Sequence, residues 1–240
     1  MVKYAGLSEA TMEGLMKLIQ TEAAPRVYRL PVFKKEFCKD LIGDLEHFEQ
    51  SKAPKGRPNT MNNYGILLNE LGFDESFITP LREHYLCTLS TLLYSDCGGS
   101  CLDSHKGFAV KYAMREDLGL SYHYDNAEVT LNVSMGKEFT EGNLFFGDMR
   151  QVPLSETECM EVEHLVTEGL LHRGQHMHGA LHIFSGTRWN LIIWMRASCE
   201  RNKLCPLCCK RPTLVESDGY SDGFTMDPDN STRKVLCSLT

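Results

Sequence analysis

A histidine and an aspartate stand one residue apart, at His123 and Asp125, in this 240-residue sequence. Alternate residues of an extended chain point to the same side, so an imidazole and a carboxylate at this spacing can reach one metal ion together. The same pair could also lie in a surface loop without a ligand, because an H-x-D pair is common by chance. A second group of suitable residues is therefore needed to predict a metal site.

That second group lies further along the chain, where His178 precedes Arg188 by ten residues. Arg188 opens a strongly apolar segment, and the alternation of a strand places Arg188, Asn190 and Trp194 on one face. A guanidinium on an apolar strand is costly unless an anion pairs with it. The sequence thus predicts an arginine that binds an anion, with a histidine ten residues before it that could join the H-x-D pair.

The order of these motifs resembles the prolyl 4-hydroxylase branch of the 2-oxoglutarate- and iron-dependent oxygenases. H-x-D is followed by Gly142-Asn143-Leu144-Phe145-Phe146, then by His178, and then by Gly186-Thr187-Arg188. The resemblance covers roughly residues 30–210. It implies a mainly β protein with N-terminal helices, in which a double-stranded β-helix, or jelly-roll, core is buttressed by helices.

The resemblance also implies a metal site and its ligands. His123, Asp125 and His178 would hold iron(II) as the catalytic residues, because two imidazoles and one carboxylate occupy one face of an octahedron and leave three positions open. In this family 2-oxoglutarate and dioxygen take those positions, and L-ascorbate is the expected reductant. Arg188 would bind the far carboxylate of 2-oxoglutarate through its planar fork of donors.

Three further residues are candidates for binding the co-substrate. Tyr112 matches the position of a tyrosine that contacts 2-oxoglutarate in related enzymes. Asn132 lies on the polar face of the following strand, and Trp194 is predicted to form the wall of the pocket below Arg188. The two aromatic residues could also be ordinary core, as most aromatic side chains on strands are.

Apolar residues at helical spacing predict helices in the first hundred residues. The stripes run through residues 7–19, 33–48 and 77–93, with the last helix ending at Cys97-Gly98-Gly99. These helices would support another structure rather than carry the site. The first hundred residues are accordingly predicted to be helical.

From Gly107 onward the apolar period changes to two, as it must in strands with two different faces. Short strands separated by turns favour a sandwich or barrel over a parallel sheet with crossover helices. The predicted organisation is a helical N-terminal support region at 1–100, the dioxygenase core at 101–198, and a Cys-containing polar tail outside the core at 199–240.

Composition limits the partners and the location of the protein. A net charge of −7 argues against nucleic acid as the main partner, because affinity for a polyanion comes largely from clustered Lys and Arg. No segment approaches the roughly 20 apolar residues of a membrane span. Since residues 1–20 lack the apolar core of a signal peptide, the ten cysteines are expected to be reduced thiols in an intracellular, cytoplasmic or nuclear protein.

Two zinc sites are alternative interpretations of the cysteines and histidines in the sequence. Cys205 and Cys208 supply two of four structural ligands, and Cys97 and Cys101 could supply the others, although such cysteines could also be plain thiols. The histidines between 172 and 182 could instead build a zinc-dependent hydrolase.

The histidine cluster does not fit a zinc pair on a helix. Spacings of four separate His172 from His176 and His178 from His182, but Gly174 and Gly179 argue against a helix there. The spacing to Arg188 selects His178 as the metal ligand. His176 and His182 are then ordinary polar or half-buried residues.

The function predicted from these residues is oxidative decarboxylation of 2-oxoglutarate to succinate, coupled to hydroxylation of an unidentified substrate. A protein prolyl or lysyl residue is the expected class of target, and loops such as residues 150–169 would select it. The alternative is a binding or scaffold module that keeps the oxygenase fold but has lost turnover.

Overall fold

Two antiparallel sheets packed face to face form most of the protein. The computed structural model describes residue 19, residues 21–216 and residues 224–226. The strands of the two sheets are β1 (Thr21–Ala24), β2 (Val27–Pro31), β3 (Gly65–Leu67), β4 (Ser104–Ala113), β5 (Leu120–His123), β6 (Val129–Gly136), β7 (Phe139–Glu141), β8 (Leu144–Met149), β9 (Met160–Val162), β10 (Glu168–Arg173), β11 (His176–Ala180) and β12 (Ile183–Arg196).

The larger sheet has eight strands and the smaller sheet has four. The larger follows the order β1-β2-β10-β6-β12-β4-β3, with β7 paired to β12, and the smaller follows β5-β11-β8-β9. All of these pairings are antiparallel. Two facing antiparallel sheets are the arrangement of the predicted jelly-roll class.

The two faces of the larger sheet carry different side chains, as the alternation in the sequence predicts. On β6, Val129, Leu131 and Val133 belong to the core that packs against the helices. Their neighbours Thr130 and Asn132 point to the other side, towards the smaller sheet. All eight residues of β6 are buried, because the polar face covers the interior rather than meeting solvent.

Helices cover the outer face of the larger sheet. Helix α1 (Lys35–Gln50) buries Cys38, Leu41, Ile42 and Leu45, which is the predicted stripe. A second helical segment, α2, consists of π-helical Asp74–Ile78, α-helical Thr79–Leu81, π-helical Arg82–Leu86 and α-helical Cys87–Leu93. The predicted first helix lies outside the described residues except for Ile19, which is buried.

The prediction that the first hundred residues are helical is wrong for three strands. β2 pairs with β10 and β3 pairs with β4, so both extend the larger sheet, and β1 pairs with β2. These strands have three to five residues. Segments this short show too little periodicity to be distinguished by sequence, and their partners on β4 and β10 are distant in the chain. The predicted boundaries at residues 100 and 198 stay predictions.

The segment after β12 lies against the core, contrary to the prediction that it lies outside. Helix α3 (Ser198–Arg201) follows β12 directly, and Arg201 and Cys205 are buried. Cys199 forms a disulfide with Cys101, so these two cysteines are not the reduced thiols that the sequence predicted. The pairing of β4 with β12 brings them together, since Ser104 lies opposite Arg196.

A short parallel pair, β13 (Val215–Glu216) and β14 (Thr225–Met226), ends the described chain. Of the helices in the described ranges, none combines the length and the apolar content that a membrane span requires.

Candidate metal centre and its cavity

The three side chains predicted to bind a metal converge in the structure. One imidazole nitrogen each from His123 and His178 and one carboxylate oxygen from Asp125 all lie within 4.8 Å of one another. Nε2 of His123 lies 3.7 Å from Oδ1 of Asp125, and Nε2 of His178 lies 3.7 Å from Oδ2. Within residue 19, residues 21–216 and residues 224–226, this is the one group of three or more His, Cys, Asp or Glu placed to share an ion.

Neighbouring strands of the smaller sheet bring the two histidines together. His123 ends β5 and lies directly opposite His178 in the antiparallel register of β5 and β11. The centroids of the two rings are consequently 4.3 Å apart. Asp125 follows just after β5, where its N–H donates to the carbonyl of Gly174 at 2.8 Å. This hydrogen bond fixes the backbone that carries the carboxylate to the rings.

Both histidines direct Nε2 towards the site because Nδ1 is engaged elsewhere. Nδ1 of His123 donates to the carbonyl of Ser121 at 2.7 Å, and Nδ1 of His178 donates to that of His176 at 2.9 Å. A carbonyl only accepts, so Nδ1 carries a proton in each ring, and a neutral ring then has its lone pair on Nε2. Burial, together with the neighbouring His123, lowers the pKa of His178 to about 4. His178 is therefore neutral at pH 7, the form that binds metals.

The carboxylate is held by Thr130, a residue outside the set predicted from the sequence. Oγ1 of Thr130 donates to Oδ2 of Asp125 at 2.7 Å, and both residues are buried. Such a contact orients a ligand before the metal binds. Two imidazoles and one oriented carboxylate are a donor set that fits iron(II) bound on one face.

A cavity of about 430 Å³ opens beside these ligands. Its volume lies within the range of small-molecule sites in proteins. Three of the four predicted co-substrate contacts line it: Tyr112, Asn132 and Trp194. Much of the remaining wall is apolar, and its members include Phe108, Val110, Leu144 and Ile192. The cavity can therefore hold a small organic acid next to the metal position.

Arg188, the fourth predicted contact, is fully buried and does not itself line the cavity. The carbon of its guanidinium lies 5.6 Å from the ring centroids of both Tyr112 and Phe139. Burial lowers the pKa of Arg188 to about 10, so the side chain remains a cation at neutral pH. The cation is thus adjacent to Tyr112, which faces the cavity.

Several groups that hold the predicted residues were not selected from the sequence. The carbonyl of Gly142 accepts from Nη1 of Arg188, and the positive φ of Gly142, 78°, favours glycine at this turn. Nδ2 of Asn62 lies 3.4 Å from the hydroxyl of Tyr112. Leu207, from the C-terminal segment, lines the cavity. Parity along β6 could have identified Thr130, and Gly142 opens the Gly142–Phe146 motif, but no sequence signal links Asn62 or Leu207 to the site.

The other histidines of the cluster take no part in the metal group. His172 is completely buried, and its ring packs against that of His178 with centroids 4.6 Å apart. Nε2 of His176 donates to the carbonyl of Gly147 at 2.7 Å, and His182 is exposed. Since His176–Ala180 is a strand, the helical zinc pair does not form.

The four-cysteine zinc site does not form either. Cys101 is bonded to Cys199 and has no thiolate to offer. Among the described residues, Cys205 and Cys208 belong to no group of three or more metal-ligating side chains. A structural zinc ion needs four ligands, so the pair alone does not make such a site.

Known proteins resemble the chain over its whole length. The family model of the OGFOD2-like domain matches residues 2–99. The protein named 2-oxoglutarate and iron-dependent oxygenase domain-containing protein 2 from Danio rerio is 80% identical over 241 residues, with 100% of this chain and 70% of that protein covered. The human protein of the same name is 54% identical over 239 residues, with 99% and 68% covered. This chain belongs to that family.

Membership in the family of 2-oxoglutarate and iron-dependent oxygenase domain-containing protein 2 confirms the resemblance that the motifs predicted. The alignment with the Danio rerio protein includes residues 122–149 and 176–208, which hold the predicted metal ligands and Arg188. The matching family model covers the N-terminal region, whereas the metal group lies between residues 123 and 178.

A solved structure shows the same fold at low sequence identity. The prolyl hydroxylase of Trichoplax adhaerens, in complex with a peptide fragment of the hypoxia inducible factor oxygen degradation domain, aligns with a TM-score of 0.54 and 13% identity, covering 80% of this chain and 96% of that one. This chain therefore has the 2-oxoglutarate oxygenase fold, with the His-Asp-His group inside it.

Proposed function

We propose that this chain is an Fe(II)- and 2-oxoglutarate-dependent dioxygenase, with His123, Asp125 and His178 as its catalytic metal ligands. When bound, iron(II), 2-oxoglutarate and dioxygen would supply oxidative decarboxylation of 2-oxoglutarate to succinate, coupled to hydroxylation of a substrate C–H bond. The observation that carries the proposal is the convergence of the three ligands on one wall of a cavity of about 430 Å³.

The side chains of the cavity would bind and orient the co-substrate. Arg188 would bind the far carboxylate of 2-oxoglutarate, with the hydroxyl of Tyr112 as a second donor and Asn132 as a further polar contact. Trp194 and its apolar neighbours would exclude water from the reacting groups. L-ascorbate is proposed as the reductant that keeps the iron ferrous.

A prolyl or lysyl residue of a protein is the proposed class of substrate. One structural neighbour is a prolyl hydroxylase bound to a peptide, which supports a target of this kind. The net charge of −7 disfavours a nucleic acid as the target, because affinity for a polyanion comes largely from clustered Lys and Arg. Residues 150–169 comprise the long connection between β8 and β10, which includes β9, and the first two residues of β10, and they would contribute to target selection.

Succinate formation from 2-oxoglutarate in the presence of iron(II) and oxygen tests the enzyme proposal. We expect the wild type to form succinate and Asp125→Ala to lose at least about 100-fold of this activity, because the only anionic ligand would be gone. Asp44→Ala, at an exposed position of α1, is the matched control and should keep full activity.

The outcomes separate the two functions that the sequence left open. A wild type that binds iron and 2-oxoglutarate, measured by anaerobic titration calorimetry, but forms no succinate would support a binding module instead. Failure to bind 2-oxoglutarate with iron(II) present would contradict both functions.

A further inference from the structure

A closed ring of hydrogen bonds holds the guanidinium of Arg188. Nε of Arg188 donates to Oδ1 of Asn190 at 2.9 Å, and Nδ2 of Asn190 donates to Oδ1 of Asn132 at 3.0 Å. On the other side, Nη2 of Arg188 lies 2.9 Å from Nδ1 of His164, whose Nε2 lies 3.1 Å from the carbonyl of Asn132. All four residues are buried. Asn132 closes the ring through both its side chain and its backbone.

The chemistry of the partners fixes the orientation of His164. Arginine has no acceptor, so Nδ1 of His164 must accept, and the carbonyl of Asn132 has no donor, so Nε2 must donate. Only the neutral ring protonated on Nε2 satisfies both contacts. Burial, together with the positive charge of Arg188, keeps the pKa of His164 well below its ordinary value, which agrees with a neutral ring.

The ring determines where the remaining donors of Arg188 point. The guanidinium is planar with five N–H groups, and its protein contacts to Asn190, His164 and the carbonyl of Gly142 take three of them. Asn190 and His164 accept from Nε and Nη2, and these two contacts fix the plane of the guanidinium. The direction of the free N–H groups is therefore set before any ligand binds. Preorganised donors bind a carboxylate better than mobile ones.

We propose that His164 is a positioning residue that aligns Arg188 with the far carboxylate of 2-oxoglutarate, and that it thereby sets the preference for 2-oxo acids with a second carboxylate. This inference rests on the proposed function. His164 lies in the connection between β9 and β10, outside the metal group and outside the lining of the cavity.

Comparing two ligands isolates this role from a structural one. 2-Oxoglutarate and 2-oxopentanoate share the metal-binding 2-oxo acid group, but only 2-oxoglutarate has the second carboxylate that Arg188 would bind. Their dissociation constants for the iron(II)-loaded protein can be measured by anaerobic titration calorimetry. A residue that only supports the fold would change both constants together.

Two variants of His164 serve as a matched pair. His164→Asn places an amide oxygen near the position of Nδ1 and can still accept from Arg188, whereas His164→Gln places its amide near Nε2 and cannot. We expect His164→Gln to raise the Kd for 2-oxoglutarate about tenfold, as loss of a hydrogen bond to a charged group implies, while the Kd for 2-oxopentanoate stays within about twofold. His164→Asn should restore most of the preference.

Each outcome supports or overturns a definite statement. Equal weakening of both ligands by His164→Gln, or no change in either, would overturn the role of His164 and leave the proposed function standing. A wild type that does not bind 2-oxoglutarate would overturn both. If His164→Gln does not fold, the imidazole ¹⁵N signals of the wild type test the role of His164 instead. A proton on Nδ1 of His164 would be incompatible with the closed ring of hydrogen bonds and would overturn that role.

Discussion

At the scale of single residues, Thr130 is the contact that most directly prepares the metal group. Its hydroxyl donates to Oδ2 of Asp125, the oxygen that also faces Nε2 of His178. Neither histidine makes such a contact with a side chain of β6 in the described residues. The carboxylate therefore depends on Thr130 for its orientation.

Thr130→Val, which keeps the shape and removes the hydroxyl, should weaken metal binding. Partners of metal ligands typically contribute 10–100-fold in affinity, so we expect the Kd for Mn(II), a redox-stable probe, to rise about tenfold. Titration calorimetry measures it. Thr91→Val, at an exposed position of α2, is the control, and an unchanged Kd in Thr130→Val would show that the carboxylate is oriented by other contacts.

The sequence predicts some residues of the site and cannot predict others. His123 and Asp125 follow from spacing within one strand and the turn after it, and alternation places Thr130 and Asn132 on one face of β6. His164 has no such signal, because its contacts with Arg188 and Asn132 arise only when three separate segments of the chain pack together. Local patterns therefore identify ligands better than the residues that orient them.

At the scale of elements, α3 supports the loop that carries Asp125. Nε of Arg201 lies 3.3 Å from Glu128, and Nη2 donates to Oδ1 of Asn126 at 2.7 Å. Both acceptors precede β6, and all three residues are buried. The hydroxyl of Tyr124 donates to the carbonyl of Leu207 at 3.1 Å. The two neighbours of Asp125 in the sequence, Tyr124 and Asn126, are thus bound by the C-terminal segment.

Arg201→Met should destabilise the fold by about 3–5 kcal/mol, because it removes the hydrogen-bonded member of the two arginines whose charges stabilise the buried carboxylate of Glu128. Burial already raises the pKa of Glu128. Adding Glu128→Gln to Arg201→Met should recover part of the loss, since a neutral amide is less costly to bury. Urea denaturation measures the free energy of unfolding of the single and the double variant, and Lys203→Met is the exposed control. A loss of stability below about 1 kcal/mol in Arg201→Met would contradict the pairing of Arg201 with Glu128.

The strands show why part of the fold is predictable and part is not. β6 and β12 are long, and Val129, Leu131 and Val133 alternate clearly with polar residues. β1 and β2 are short, and the edge position of β1 and the place of β2 beside β10 depend on pairing with distant residues. Burial of Arg201 and Cys205 likewise depends on tertiary contacts, which cannot be predicted from the polar sequence of the segment after β12.

At the scale of the whole molecule, neutral buried histidines make stability depend on pH. Burial lowers the pKa of His164 and His172 well below 6.5 and that of His178 to about 4. In the unfolded chain these histidines titrate near 6.5. As the pH falls below that value, the unfolded state binds protons that the folded state does not, so stability falls.

The free energy of unfolding of the metal-free protein should therefore be highest above about pH 6.5 and decline below it. Each of the three histidines contributes up to about 1.4 kcal/mol per pH unit until its folded-state pKa is reached. Urea denaturation between pH 7.5 and 5 measures the slope. His172→Gln should make the slope shallower, whereas His84→Gln, at an exposed position, is the control. A free energy of unfolding that does not change between pH 7.5 and 5 would contradict the burial of these histidines in their neutral form.

The direct pairing of His123 with His178 links metal binding to strand register. A slip of one residue between β5 and β11 would turn one imidazole to the opposite face of the smaller sheet, because side chains alternate along a strand. An ion held by both rings stabilises only the correctly paired form, by an amount set by its concentration relative to its Kd. β5 has four residues and lies at the edge of its sheet, so it has little else to fix its alignment. Metal binding would thus stabilise the correct alignment of β5, the strand that carries the ligand His123.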